Sequence, residues 1–179
     1  NGDMTSDVRE LFKKYNARAT FFTSGSHCEN TSKNDVIALL NDGHELAIHG
    51  MYDWPYNKYT KEQFSDDFIQ TKQILENYTL DIPKYYRAPH AKISKEMIEV
   101  LDENGYIHVM CDGFAADTEI PDPKWIASKI LKNVKSGSIV LIHMPEKGVR
   151  EWNYKAMELT LKGLIEAGYK IETFSYLYN

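Results

Sequence analysis

Apolar positions recur at helical spacing in some stretches and run almost unbroken in others, and the two kinds alternate. "TSDVRELFKKYN" (residues 5–16) puts Val8, Leu11, Phe12 and Tyr15 on one face behind a Thr5/Ser6 cap, which predicts a helix. "ARATFFTS" follows as a run of aromatic and Thr residues, a strand pattern. "SKNDVIALLNDG" reads as a short helix stopped by Gly43, and "HELAIHG" as an apolar strand. Thr60 with Gln63 makes a capping box that opens a helix through Phe64, Phe68 and Leu75. "KYYRAP" is a strand ended by Pro89, Ser94 opens a helix that Gly105 ends, and "YIHVMCD" is a further strand. Asp122-Pro123 pairs a cap with Pro at the first helical position, for a helix to about Val134. "SIVLIHM" is a strongly apolar strand, a helix runs from about Asn153 to Gly168, and "YKIETFSYL" is the last strand.

Strict alternation of helix and strand predicts a parallel sheet with helices packed outside it. "IVLIH" and "LAIH" are nearly continuous in apolar residues, as strands covered on both faces should be. No linker interrupts the series, so residues 1–179 read as a single domain. The series opens on a helix, so the strand expected to precede it is absent from this sequence.

Composition narrows the partners. The 179 residues carry a net charge of −5, and no basic cluster exceeds a few residues, which argues against nucleic acid. No apolar run approaches the roughly 18–20 residues of a membrane span. The chain starts at Asn1 rather than Met, as a processed or trimmed piece would. Cys28 and Cys111 are either two buried thiols or one disulfide of a secreted protein. The triplets Asn30-Thr31-Ser32 and Asn77-Tyr78-Thr79 have the glycosylation pattern and lean toward secretion.

In parallel α/β folds the chemistry gathers at the carboxyl ends of the strands. Those ends carry Thr23 and Ser24, then His49 and Asp53, Arg87 and His90, Asp112 and Asp117, and finally His143. His49 and Asp53, four residues apart, can share one face and converge on a metal. His44, five residues before His49 at the start of its strand, reads as structural. Arg87 is either a surface ion-pair partner or an arginine aimed into a cleft at a carboxylate. His143 is either a buried structural group or a titrating acid/base, and Asp117 could orient it. Trp54 and the tyrosines suit sugar stacking where they line a cleft, and core packing elsewhere.

The ordered set "ATFF", "GHELAIH", "YYRAPH", "FAADTE", "GSIVLIHM" and "EAGYKIETFSYL" resembles the polysaccharide deacetylases of the chitin and peptidoglycan deacetylase group, over nearly the whole chain. The resemblance implies an α/β fold, a distorted (β/α) barrel, and metal-dependent hydrolysis of N-acetyl groups on a glycan. It implies that His49 is a metal ligand, that Arg87 holds a catalytic aspartate, and that His143 is the general acid tuned by Asp117, with Asp112 as the other choice. His90, Tyr86 and Trp54 fall where substrate would bind. The implied cofactor is a divalent metal, zinc first, and the implied partner is an N-acetylglucosamine polymer. A secreted or cell-wall location and a monomer go with that reading.

Two departures bear on activity. Asp53 stands where the family has its second metal histidine, and the family's opening Asp-Asp-Gly-Pro strand is not in this sequence. His90 also replaces the usual aromatic residue. Carboxylate in place of imidazole favours an oxygen-preferring ion. Asp3 is a remote substitute for the missing ligand. The alternative is a catalytically inactive relative that binds glycan or a partner, its metal site dead and empty of metal.

Overall fold

The computed structural model describes residues 3–178. Its elements run α1 (Thr5–Lys14), β1 (Thr20–Thr23), α2 (Gly25–Asn30), α3 (Lys33–Asn41), β2 (Glu45–Ile48), α4 (Lys61–Glu76), β3 (Tyr85–Tyr86), α5 (Lys95–Glu103), β4 (Ile107–His108), α6 (Pro123–Asn133), α7 (Trp152–Glu166) and α8 (Phe174–Tyr178). The chain forms two compact units, Thr20–Met110 and Asn1–Ala19 with Cys111–Asn179.

The Thr20–Met110 unit holds a parallel sheet in the order β1-β2-β3-β4. β1 and β2 pair from Thr20↔Glu45 to Thr23↔Ile48, and Ile48↔Tyr86 joins β2 to β3. Helix α4 explains why this unit packs. Phe64, Phe68, Thr71 and Leu75 are buried along one stripe at helical spacing. Phe64 meets Tyr86 edge-on with centroids 5.5 Å apart, and Phe68 meets Tyr106 at 4.8 Å. The predicted capping box is formed. Thr60 Oγ1 accepts from the Gln63 N–H, and Gln63 Oε1 accepts from the Thr60 N–H. Ser94 caps α5 as expected, accepting from the Met97 N–H. Helix α2 was not predicted; Ser24 caps it by accepting from the His27 N–H.

In the second unit α6 and α7 form the main packed pair. Asp122 caps α6 through its side chain, with Pro123 at the first helical position. Gly163 lets the pair approach closely, since a Cβ there would lie 2.5 Å from Leu131 Cδ1. Ile126, Ile130, Ala156 and Ala115 form the local core.

Several expectations need correction. Thr5 does not cap α1 but lies inside it, and Asp3 does the capping work. Its Oδ1 accepts from the Thr5 N–H at 2.9 Å and from the Thr5 hydroxyl at 2.6 Å. Among the described residues "SIVLIHM" is no regular strand; it pairs at the bridge Gly113↔Val140, where the Leu141 N–H donates to Gly113 O. The Asp112 carboxylate takes the Ile139 N–H at 2.7 Å and the Ser138 hydroxyl at 3.0 Å, while the Ile139 carbonyl still accepts from the Asp112 and Gly113 N–H groups. The expected last strand ends as helix α8, where Phe174 stacks on Tyr178 at i,i+4 spacing. The strands "KYYRAP" and "YIHVMCD" shrink to two residues each. Cys28 and Cys111 are not joined to each other as a disulfide, and burial pushes the Cys28 thiol up to about 11. Among the described residues, no helix is long and apolar enough to cross a membrane.

Candidate functional site

In the Thr20–Met110 unit the candidates hang on the loops after β2 and β3. Arg87 donates its backbone N–H to Ile48 O, and its own carbonyl accepts from His49 Nδ1 at 2.6 Å. A carbonyl oxygen can only accept, so the proton lies on Nδ1, and the neutral ring keeps its lone pair on Nε2. That nitrogen faces Asp53 Oδ1 at 3.9 Å, beyond hydrogen-bond reach. His90 Nε2 approaches the same oxygen at 3.8 Å. His90 and Ala91 both adopt left-handed backbone, φ 55°.

The loop carrying Asp53 is braced from beneath. Gly50 sits at φ +86°, and a Cβ there would come within 2.7 Å of the Tyr56 ring. Tyr56, fully buried, donates its hydroxyl to Tyr52 O and accepts from the Tyr52 N–H at 2.8 Å. Asp67 on α4 accepts from the Met51 N–H at 3.1 Å, and burial raises its carboxyl above the usual range. Trp54 projects from this frame, 43% exposed, with its ring 4.3 Å from that of Tyr52. Substrate contact at Tyr86 is overturned. Its side chain is fully buried, packed against Phe64 and Phe68 of α4. His44 is buried and edge-on to Phe21. His108, paired with Tyr86 across β3 and β4, is held below its ordinary pKa by burial and then by the charge of Arg87.

In the second unit Asp117 is 1% exposed and saturated with donors. Its Oδ2 accepts from the His143 N–H at 2.7 Å and from Asn153 Nδ2 at 2.9 Å. His143 Nδ1 lies 3.1 Å from both carboxylate oxygens, so Nδ1 carries the proton and Nε2 faces away. The Trp152 indole N–H donates to Asp117 O at 2.9 Å. A buried carboxylate is tolerated only when satisfied in this way. Asp112, the other choice for the partner of His143, is spent on Ser138 and Ile139.

Asn153 was not found from the sequence. It opens the buried stripe of α7, followed by Ala156, Met157, Thr160, Leu161 and Leu164. A polar residue heading an apolar stripe was the signal available.

The sequence profile described as "Polysaccharide deacetylase" matches residues 2–109, more than half of the chain. The chain belongs to this family. A peptidoglycan-N-acetylglucosamine deacetylase from Bacillus cereus is 29% identical over 175 residues, 97% of this chain and 81% of that protein. A CE4 family pseudoenzyme from Bacillus anthracis superposes with a TM-score of 0.87 at 19% identity, over 98% of this chain and 60% of that one. A family 4 acetyl xylan esterase from Clostridium thermocellum, in complex with a cobalt ion, gives 0.87 at 22% identity, over 99% and 85%. At these identities the structural likenesses show the fold, an α/β architecture of the deacetylase (β/α) barrel type.

The donor chemistry fits a divalent ion in part. His49 presents Nε2 with its other nitrogen anchored on a carbonyl, the usual arrangement for an imidazole ligand. Asp53 supplies an oxygen beside it. Among the described residues, no three His, Cys, Asp or Glu side chains gather as a metal site.

Proposed function

We propose that this polysaccharide deacetylase family member is a hydrolase that removes N-acetyl groups from an N-acetylglucosamine polymer, peptidoglycan or chitin, at or outside the cell surface. The observation that carries the reading is the Asp117–His143 pair. Its Nδ1 is committed to a buried carboxylate, and the His143 side chain is 41% exposed. Such a histidine can hold a proton on Nε2 and give it up where amide cleavage needs it. As the C–N bond breaks, the leaving amine takes that proton, and Asp117 stabilises the imidazolium before transfer. Arg87 anchors His49 through its carbonyl, and its guanidinium serves to hold an acidic partner. Trp54 and His90 would contact the glycan.

His49 and Asp53 would hold the ion, zinc in this reading. When bound, it supplies Lewis acidity toward water and toward the amide carbonyl. The relative from Bacillus cereus supports peptidoglycan as the first substrate to test.

A second reading is favoured by Asp53. A carboxylate replaces the family's second metal histidine, and no third ligand joins it among the described residues. On that reading the chain binds glycan without cleaving it. Acetate release from peptidoglycan fragments and chitin oligomers, with zinc content and oligomer binding measured on the same sample, separates the two. Release that follows zinc content supports the hydrolase. Tight oligomer binding without acetate, at full zinc loading, supports the binder.

A further inference from the structure

We propose that Asn153 is a positioning residue for His143. It would fix the Asp117 carboxylate and the His143 main chain together, so that the imidazole keeps its proton on Nδ1. This rests on His143 being the proton donor of the proposed reaction.

The amide of Asn153 is fully buried. Its one NH2 group donates twice, to Asp117 Oδ2 at 2.9 Å and to His143 O at 3.0 Å. Both partners are acceptors only, which forces the NH2 end of the amide toward the pair. Its carbonyl Oδ1 is then buried without a hydrogen-bond partner in the structure. A buried acceptor left unsatisfied is costly, so this orientation is not held by contacts at the other end of the amide. The two donated bonds hold it.

The consequence is geometric. Asp117 could turn about its Cβ–Cγ bond and lose the symmetric approach of Nδ1 to its two oxygens. Three donors oppose that turn: the His143 N–H, His143 Nδ1 and the Asn153 amide. Only the Asn153 amide also ties the carboxylate to the His143 carbonyl. One side chain from the first turn of α7 thus spans both partners.

The test uses the full chain with 15N-labelled histidine, whose ring shifts report which nitrogen is protonated, at a pH where the imidazole is neutral. Asn153→Leu keeps the branched shape and removes the NH2. It is expected to populate both tautomers of His143, whereas the parent shows Nδ1–H alone. With turnover measurable, kcat should fall about tenfold while KM stays within about twofold, because proton transfer and not binding is disturbed. Asn153→Thr retains one donor and should lie between. Thr160→Val, a buried hydroxyl on the same helix, should leave the tautomer unchanged. A folded Asn153→Leu protein that retains the Nδ1–H form overturns the proposal, whatever its activity. Should the leucine variant not fold, an Asn153→Thr protein with the parent tautomer and parent kcat does the same. Absence of deacetylase activity in the parent would overturn the hydrolase reading alone, since the tautomer is read without turnover.

Discussion

His49 and His143 each stand beside an aspartate, one in each unit, and the two pairs differ in kind. His143 meets Asp117 through Nδ1 at 3.1 Å, and that carboxylate is buried and taken up by further donors. His49 meets Asp53 through Nε2 at 3.9 Å, and Asp53 is exposed and approached by a second imidazole. The first is a closed hydrogen-bond network with fixed proton positions. The second is a looser electrostatic grouping on a loop braced by Tyr56 and Asp67, suited to rearrangement around a ligand. Chemistry that depends on an oriented proton suits the first, and chemistry that depends on an added group suits the second.

The largest effect that could break this contrast is at His143. His143→Ala should lower kcat for acetate release by ~10²–10⁴-fold with the thermal midpoint little changed. A tenfold loss or less would show that the closed network is only scaffold. Next is the frame of the open pair. Gly50→Ala places a Cβ against the Tyr56 ring in left-handed backbone, and should cost about 2–3 kcal/mol in chemical denaturation. Little or no loss would mean that the loop is not rigid. Third, Asp53→His should raise zinc affinity about 10–100-fold by calorimetric titration, a change in ligand set that leaves the other unit untouched. Unchanged affinity would move the ion away from His49 altogether.

The smallest effect concerns pH. Burial and the Arg87 charge lower the folded-state pKa of His108 below its unfolded value near 6.5. The unfolded chain therefore binds a proton that the folded chain refuses, so stability falls as pH drops from 6.5 toward the folded value. His108→Gln should flatten that slope in denaturation curves between pH 7 and 5, while leaving the curves alike above pH 7. An identical slope in both proteins would remove His108 from the account.

How far the sequence could be read follows the same division between local and distant causes. Three helix starts were visible because their signals are contiguous: Thr60 with Gln63, Ser94, and Asp122 with Pro123 all cap as read. Strand extent was not visible, because it depends on partners far along the chain. "SIVLIHM" has strand composition, yet its pairing is short and the Ile139 N–H goes to the Asp112 carboxylate, 27 residues away. Tyr86 and Arg87 are neighbours in sequence, yet Tyr86 is packed against Phe64 and Phe68 of α4, a partner distant in the chain. The meeting of Asp117 with His143 was legible in the sequence, whereas Asn153 lies in no motif and 36 residues from the carboxylate it holds.

The Trp152 indole has a use of its own. It bonds the carbonyl of Asp117 and precedes Asn153 in the chain, so it sits one link from the His143 network. Its emission should therefore respond when that network is disturbed, and Trp152→Phe would identify its share beside Trp54 and Trp125. The protein thus carries a native fluorescent gauge of a buried charged cluster, readable without an attached dye.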